Sequence, residues 1–178
     1  MESVSKTRHF SCVCSFDQWD SLYEANHLRT LISSWNSPNL DAIFLKLQCL
    51  RVLNLFGNSI EELPSSIGKL KHLRHFDLSA TDIKKLPDEI CSLYNLQTLL
   101  LWLCQSLAEL PTELGKLVNL RHLDIQGTNI KMMPTTMGKL KDLQTLRGDF
   151  VLDENSGGNI VKIKKLQQLR GTLHLGAL

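Results

Sequence analysis

Leucine and proline return on a fixed clock in this chain. Leu50, Leu73, Leu96, Leu120 and Leu143 follow one another at steps of 23, 23, 24 and 23 residues, and Pro64, Pro87, Pro111 and Pro134 keep the same time. A period of that length is the strongest constraint the sequence offers. Each unit is one supersecondary element that cannot bury its apolar face alone, so successive units must stack and share a continuous core. The repeated phrase is L-x-x-L-x-L-x-x-(N/T/C)-x-I-x-x-L-P-x-x-I-G-x-L, written four times from Leu50 and begun a fifth time at Leu143.

Each letter of the phrase has a physical reading. Apolar residues alternate with period two in Leu53-Asn54-Leu55, as a half-buried strand requires, and stacking such strands gives a parallel sheet with ~4.8 Å between coils. One buried column is then Leu53, Phe76, Leu99, Leu123 and Leu146, and a second is Leu55, Leu78, Leu101 and Ile125. Asn58, Thr81, Cys104 and Thr128 stand where a small polar side chain can satisfy the backbone of the turn that follows. Cys104 is the weakest donor of the four, and its unit carries the extra residue, so a local bulge is expected there. Leu-Pro closes the next segment because proline fixes φ and lacks an N–H, and the short arms "SSIGKLKHL" and "TELGKLVNL" allow one or two helical turns, partly 3-10. Gly68, Gly115 and Gly138 keep one slot of the returning arm, and Cys91 takes it once.

This pattern is identified as the leucine-rich repeat. The expected fold is an α/β solenoid, a horseshoe segment with a parallel concave sheet and short irregular or 3-10 outer arms. Residues 1–46 are expected to form a cap or irregular first repeats, 47–150 the regular repeats, and 151–178 an irregular loop with an incomplete final repeat. In the first region "HFSCVCSF" reads as a strand, "LRTLI" from Leu28 as a partial repeat, and "PNLDAIFLKL" as a helix with Leu40, Ile43, Phe44 and Leu47 on one face. Nothing after Leu175 offers the polar cap a solenoid end needs, so the chain reads as a fragment or a truncated form.

Composition narrows the function classes. A charge of +2, from 20 Lys+Arg against 18 Asp+Glu, lacks the basic excess of a dedicated nucleic-acid binder. The polar start "MESVSKTRHFSC" and the absence of any ~20-residue apolar run point to a soluble, cytoplasmic chain without a transmembrane segment. Five cysteines, Cys12, Cys14, Cys49, Cys91 and Cys104, have no framework spacing, and Cys12-x-Cys14 has no second arm for zinc, so buried free thiols are expected.

No H-E-x-x-H or G-x-S-x-G occurs, and the Gly-Lys pairs are followed by leucine, as in Gly115-Lys116-Leu117, so no phosphate loop is present. The twin phrases "RHFD" and "RHLD" place His75 and Asp77, then His122 and Asp124, on one exposed face, two coils or roughly 10 Å apart, too far to share a metal ion. A hydrogen-bonded surface ladder is the expected role, and no catalytic residue or metal ligand is assigned. The binding surface is expected on the concave strand positions: Val52, Asn54 and Phe56; His75, Asp77 and Ser79; Thr98, Leu100 and Trp102; His122, Asp124 and Gln126; Thr145, Arg147 and Asp149. Phe56, Leu100 and Trp102 are large apolar groups where alternation predicts solvent, the pattern of a protein interface. Lys69, Lys71, Lys84, Lys85, Lys116, Lys139 and Lys141 read as a solvated rim, and Lys162, Lys164 and Lys165 as a lesser basic patch open to membrane or RNA.

Three stretches, "SVSKTRHFSCVCSFD", "LRVLNLFGNSIEELPSSIGKLKHLRHFDLS" and "LQTLRGDFVLDENSGGNIVKIKKLQQLRGTLHL", resemble the start of the repeat region in plant coiled-coil-type nucleotide-binding disease resistance proteins. The resemblance implies pathogen sensing and autoinhibition, with a protein partner that is the receptor's own nucleotide-binding module, a pathogen effector or a host target. It implies no cofactor in this chain, and ADP or ATP only where an upstream nucleotide-binding module exists. The other reading is a free-standing signalling scaffold of the Ras-group repeat type, which shares the L-P-x-x-I-G-x-L phrase.

Overall fold

The computed structural model describes residues 7–12, 19–34 and 39–148. Seven short strands, β1 (His9–Cys12), β2 (Thr30–Ser33), β3 (Val52–Asn54), β4 (His75–Asp77), β5 (Thr98–Leu100), β6 (His122–Asp124) and β7 (Thr145–Arg147), form one sheet in chain order. Every neighbouring pair is parallel and keeps the repeat register, as in Leu53↔Phe76↔Leu99↔Leu123↔Leu146. Residues before the regular repeats extend the same sheet, with Leu31 opposite Leu53 and Phe10 opposite Leu31. Two short helices lie among these first coils, α1 (Trp19–Tyr23) and α2 (Leu40–Lys46). Asn39 caps α2 by accepting the amide N–H of Ala42 at 3.1 Å, and Ile43, Phe44 and Leu47 are buried, the face the sequence predicts.

Burial follows the leucine clock. Both expected columns lie inside, and Leu50, Leu73, Leu96, Leu120 and Leu143 are fully buried behind them. The outer arms are 3-10 turns at Ser65–Lys69, Asp88–Ser92, Leu114–Lys116 and Thr135–Lys139, three of them entered from a proline. Gly115 lets two arms meet closely: a Cβ built on it would lie 2.2 Å from the backbone oxygen of Thr136, whereas one on Gly68 would meet Glu89 Cβ and Ser92 Oγ at 3.2 Å.

Strand exit uses a left-handed residue in four successive coils: Gly57, Ala80, Leu103 and Gly127 have φ of 69, 56, 58 and 73°. The small polar residue that follows closes the turn. Asn58 donates to the carbonyls of Leu55 at 2.9 Å and Ser33 at 2.7 Å, while Thr81 and Thr128 each donate to their own coil, to Leu78 and Ile125 at 2.7 Å. Cys104 fills the same slot with its Sγ 3.1 Å from the Leu78 carbonyl. The extra residue of that coil leaves the β5–β6 register intact and falls after Cys104, where Leu107 N–H closes onto the Cys104 carbonyl at 3.1 Å.

The joints between coils draw on several kinds of donor. Asn58 crosses to Ser33, Glu62 bridges in parallel to Lys85, Cys104 reaches back to Leu78, and Asn129 donates to the Gln105 carbonyl at 2.6 Å.

Candidate functional site: the concave face and its entry edge

The concave face is built by the strand residues that alternate with the buried columns. Its first row, Thr30, Val52, His75, Thr98, His122 and Thr145, is half-buried throughout, because ~4.8 Å coil spacing lets each side chain lean on its neighbours. His122 Nδ1 and Thr145 Oγ1 lie 2.9 Å apart, as do His9 Nδ1 and Thr30 Oγ1 at 3.0 Å. Burial depresses the pKa of His75, with the Asp77 carboxylate opposing it.

The second row corrects an expectation. Asp77, expected on an exposed face, is 8% exposed, and Ser79 in the third row is 4% exposed. Asp77 pairs across the sheet with Asn54 on one side and Leu100 on the other, its Oδ2 accepting from Asn54 Nδ2 at 2.9 Å. Its Oδ1 accepts the Ser79 N–H at 2.9 Å; Asn54 and Asp124 treat the N–H groups of Phe56 and Gln126 in the same way at 3.0 Å. These polar groups therefore fasten the strand exit, a local i to i+2 bond that asparagine and aspartate make readily. Arg147 remains exposed, its Nη1 3.8 Å from Asp124 Oδ2, a weak surface pair.

The third coil breaks every one of these local rules. Where its neighbours carry Asn54, Asp77 or Asp124 it has Leu100; where two of them carry glycine it has Leu103 at φ 58°; and Cys104 stands in the asparagine slot. A leucine held in the left-handed region costs roughly 1–2 kcal/mol, and Leu100 has no side-chain oxygen to accept the Trp102 N–H as Asn54, Asp77 and Asp124 accept theirs. On this coil Trp102 is 40% exposed and Leu100 half-buried, and Phe56, half-buried, holds the place equivalent to Trp102 two coils earlier. Leu103 also leans over the next coil, where a Cβ on Gly127 would come within 2.7 Å of its Cδ2.

A second surface escaped the reading of alternate strand positions. Immediately before the strands stand Arg8, Arg29, Arg51 and Arg74, then Gln97, Arg121 and Gln144, and the repeated "LR" dipeptide was its signal. A cleft of about 410 Å³ lined by Arg8, His27, Arg29 and Cys49 opens at one end of this edge.

The thiols were expected to be buried. Cys91 and Cys104 are, and burial pushes Cys91 up to about 11 and raises Cys104 as well. Cys12, at the end of the first strand, and Cys49, in the cleft, are instead partly exposed. Among the described residues no group of three or more His, Cys, Asp or Glu side chains could hold a metal ion, and no helix is long and apolar enough to cross a membrane. Asp149, Cys14, Lys162, Lys164 and Lys165 lie outside the described residues.

Fold and surface together define a stacked-coil solenoid that presents side chains on a parallel sheet. The profile described as "Leucine-rich repeat region" matches residues 9–107, and the chain belongs to that family. It is 50% identical, over 99% of its length, to a chain of Arabidopsis thaliana named as a disease resistance protein, At3g14460, and spans 13% of that relative. It is 41% identical to the Arabidopsis thaliana RPP13-like protein 1, also named for disease resistance, over 47% of this chain and 9% of that one. Among solved structures, internalin C2 of Listeria monocytogenes aligns with a TM-score of 0.78 at 22% identity, covering 98% of this chain and 76% of the internalin. A second internalin of the same organism, inlF, gives 0.75 at 18% identity over 97% of this chain and 48% of its own. At such identities the internalins share the fold alone.

Proposed function

We propose that this chain is the leucine-rich-repeat part of a plant intracellular immune receptor, a non-catalytic module that holds a protein partner on its concave face and works in the cytoplasm. The observation that carries the reading is the third coil. Leu100 and Leu103 replace residues that would fasten the coil or relax its turn, with Trp102 between them, and places where a sequence departs from its own local rules are where function is to be sought. An exposed tryptophan two residues from half-buried Leu100, with exposed Gln126 at the equivalent position of the next coil, has the anatomy of an interface anchor. The partner is a pathogen effector, a host target or the receptor's own nucleotide-binding module. This chain needs no cofactor of its own, and nucleotide belongs to such a module. Similarity to disease resistance proteins over nearly the whole chain favours a receptor over a free-standing Ras-group scaffold.

The test is quantitative cross-linking of the chain to proteins of challenged leaf tissue, comparing wild type with Trp102→Ala and with Met132→Ala. Met132 is 56% exposed and lies outside the strands, so it controls for loss of an apolar surface group. Cross-linked partners should fall at least tenfold with Trp102→Ala and hold with Met132→Ala, at matched folded fraction. Equal partner profiles for the two variants would refute the concave-face reading.

A further inference from the structure

The strand-entry edge is chemically distinct from the concave face: Lys71, Asn95 and Asn119 tie neighbouring coils through the carbonyls of Ser92, Lys71 and Tyr94, whereas its arginines have no such bond among the described residues. Arg51, Arg74 and Arg121 are exposed, Arg8 is exposed and Arg29 half-buried, and none has a carboxylate in ion-pair reach among the described residues. Their backbones are fully used: the carbonyls of Arg8, Arg29, Arg51 and Arg74 each accept two N–H groups from the next coil at 2.7–3.1 Å. The hydrogen-bond ladder therefore holds the backbones of Arg8, Arg29, Arg51 and Arg74 one coil apart, ~4.8 Å along the stack, and so gathers like charges on one edge without a counter-charge between them.

Where the arginine row is interrupted by Gln97, apolar groups take over. Tyr94 and Val118 occupy equivalent places in adjacent coils, 51% and 52% exposed, and the same place carries Lys71 one coil earlier and Lys141 one coil later. Across residues 48–51, 71–74, 94–97, 118–121 and 141–144 the one acidic residue is Asp142. An apolar pair with a basic surround thus stands just before the strands β5 and β6.

We infer that this edge is a docking surface for an extended acidic segment of a partner protein, distinct from the concave face: an apolar side chain of the segment covers Tyr94 and Val118, and its carboxylates meet the arginine row, one of them entering the cleft between Arg8 and Arg29. Charge complementarity selects the acid, and the exposed apolar pair selects a protein. Single-stranded nucleic acid is the poorer fit, because its sites interleave several stacking aromatics with the cations, and this edge has Tyr94 alone. From β1 to β6 the row covers five strand spacings, roughly 24 Å, which about seven extended residues span.

The experiment measures fluorescence anisotropy of a labelled ten-residue peptide, glutamates with leucine and phenylalanine at the centre, titrated with the 178-residue chain. Binding should weaken more than tenfold in Arg51→Glu/Arg74→Glu, at least threefold in Tyr94→Ser/Val118→Ser, and more than tenfold for a four-residue version. It should also weaken between 50 and 300 mM salt, as contacts among exposed charges must, and remain unchanged in Trp102→Ala, which separates this edge from the concave face. The milder Arg51→Gln/Arg74→Gln serves if the reversal fails to fold. The proposal is overturned by no peptide binding, by indifference to the arginine or the Tyr94/Val118 substitutions, by equal binding of the short peptide, or by tighter binding of oligouridine or phosphatidylserine vesicles.

Discussion

Gly115→Ala and Gly68→Ala are the same chemical change at the same slot of two coils, and the structure gives them different outcomes. On Gly115 the added methyl would sit 2.2 Å from the Thr136 oxygen and 2.9 Å from both the carbonyl carbon and Cβ of that residue. Two of those atoms are backbone, so relief requires the third and fourth outer arms to part by about 1 Å, and overpacking of that kind costs about 1–3 kcal/mol. The same movement strains the bond from Gly115 N–H to Thr136 Oγ1 at 3.1 Å, worth about 1 kcal/mol more. A loss of about 2–4 kcal/mol follows. On Gly68 the methyl meets side-chain atoms at 3.2 Å, and the lower entropy of the unfolded chain returns about 0.4–1 kcal/mol, so the net change should stay below about 1 kcal/mol. Cys91 already occupies this slot in the intervening coil, buried, which shows that a side chain can be housed there. Equilibrium urea unfolding followed by circular dichroism reads the difference: with m near 2 kcal/mol/M, the Gly115→Ala midpoint should drop by about 1–2 M and the Gly68→Ala midpoint by less than about 0.5 M. Equal midpoint shifts would show that the arms part freely and that the close approach does not govern stability.

Two further outcomes follow from titratable groups. His75 has its pKa lowered by burial, so the unfolded chain binds the extra proton first; stability is fully present above pH ~6.5 and is lost as pH falls through the lower folded value. Thermal melts at pH 7.5 and 5.5 should therefore differ more for wild type than for His75→Gln, and an equal difference would remove His75 as a source of acid sensitivity. With Cys91 pushed up to about 11 and Cys104 also raised by burial, iodoacetamide at pH 8 should label Cys12 and Cys49 in the native chain and reach Cys91 and Cys104 only in denaturant. Peptide mapping that found Cys91 alkylated as fast as Cys49 would contradict the burial described.

The core was legible because period and alternation act on the same residues: Leu53 and Phe76 had to stack once Leu50 and Leu73 were in register, and they do. The additional residue of the third coil was legible too, and its effect is smaller than a bulge in the strand because the turn after Cys104 absorbs it. Asp77 was misplaced for a specific reason. Alternation gives the side of the sheet a residue faces but not what covers it there, and Asn54 and Leu100 on adjoining strands do the covering. The partly exposed Cys49 escaped likewise, since only the assembled coils reveal the cleft it lines. The arginine row lay outside the strand positions inspected for binding, although from Arg51 on it keeps the step of the leucines, each residue standing directly after Leu50, Leu73 or Leu120.

The joints between coils carry one more consequence. The leucine columns are interchangeable from coil to coil, so the core alone would accept the coils in any order. The fastenings vary in donor more than in place: Asn58 to Ser33 and Cys104 to Leu78 join equivalent positions with an amide and a thiol, Asn95 to Lys71 recurs one coil on as Asn119 to Tyr94, and the Glu62–Lys85 bridge and the amide to Gln105 add further ties. What changes along the stack is therefore the chemistry of each tie, amide, thiol or backbone, while its place in the repeat is often kept. A chain with two coils transposed would keep its hydrophobic inventory and many of its ties, and the Trp102 coil would carry its weaker thiol tie to whichever coil preceded it.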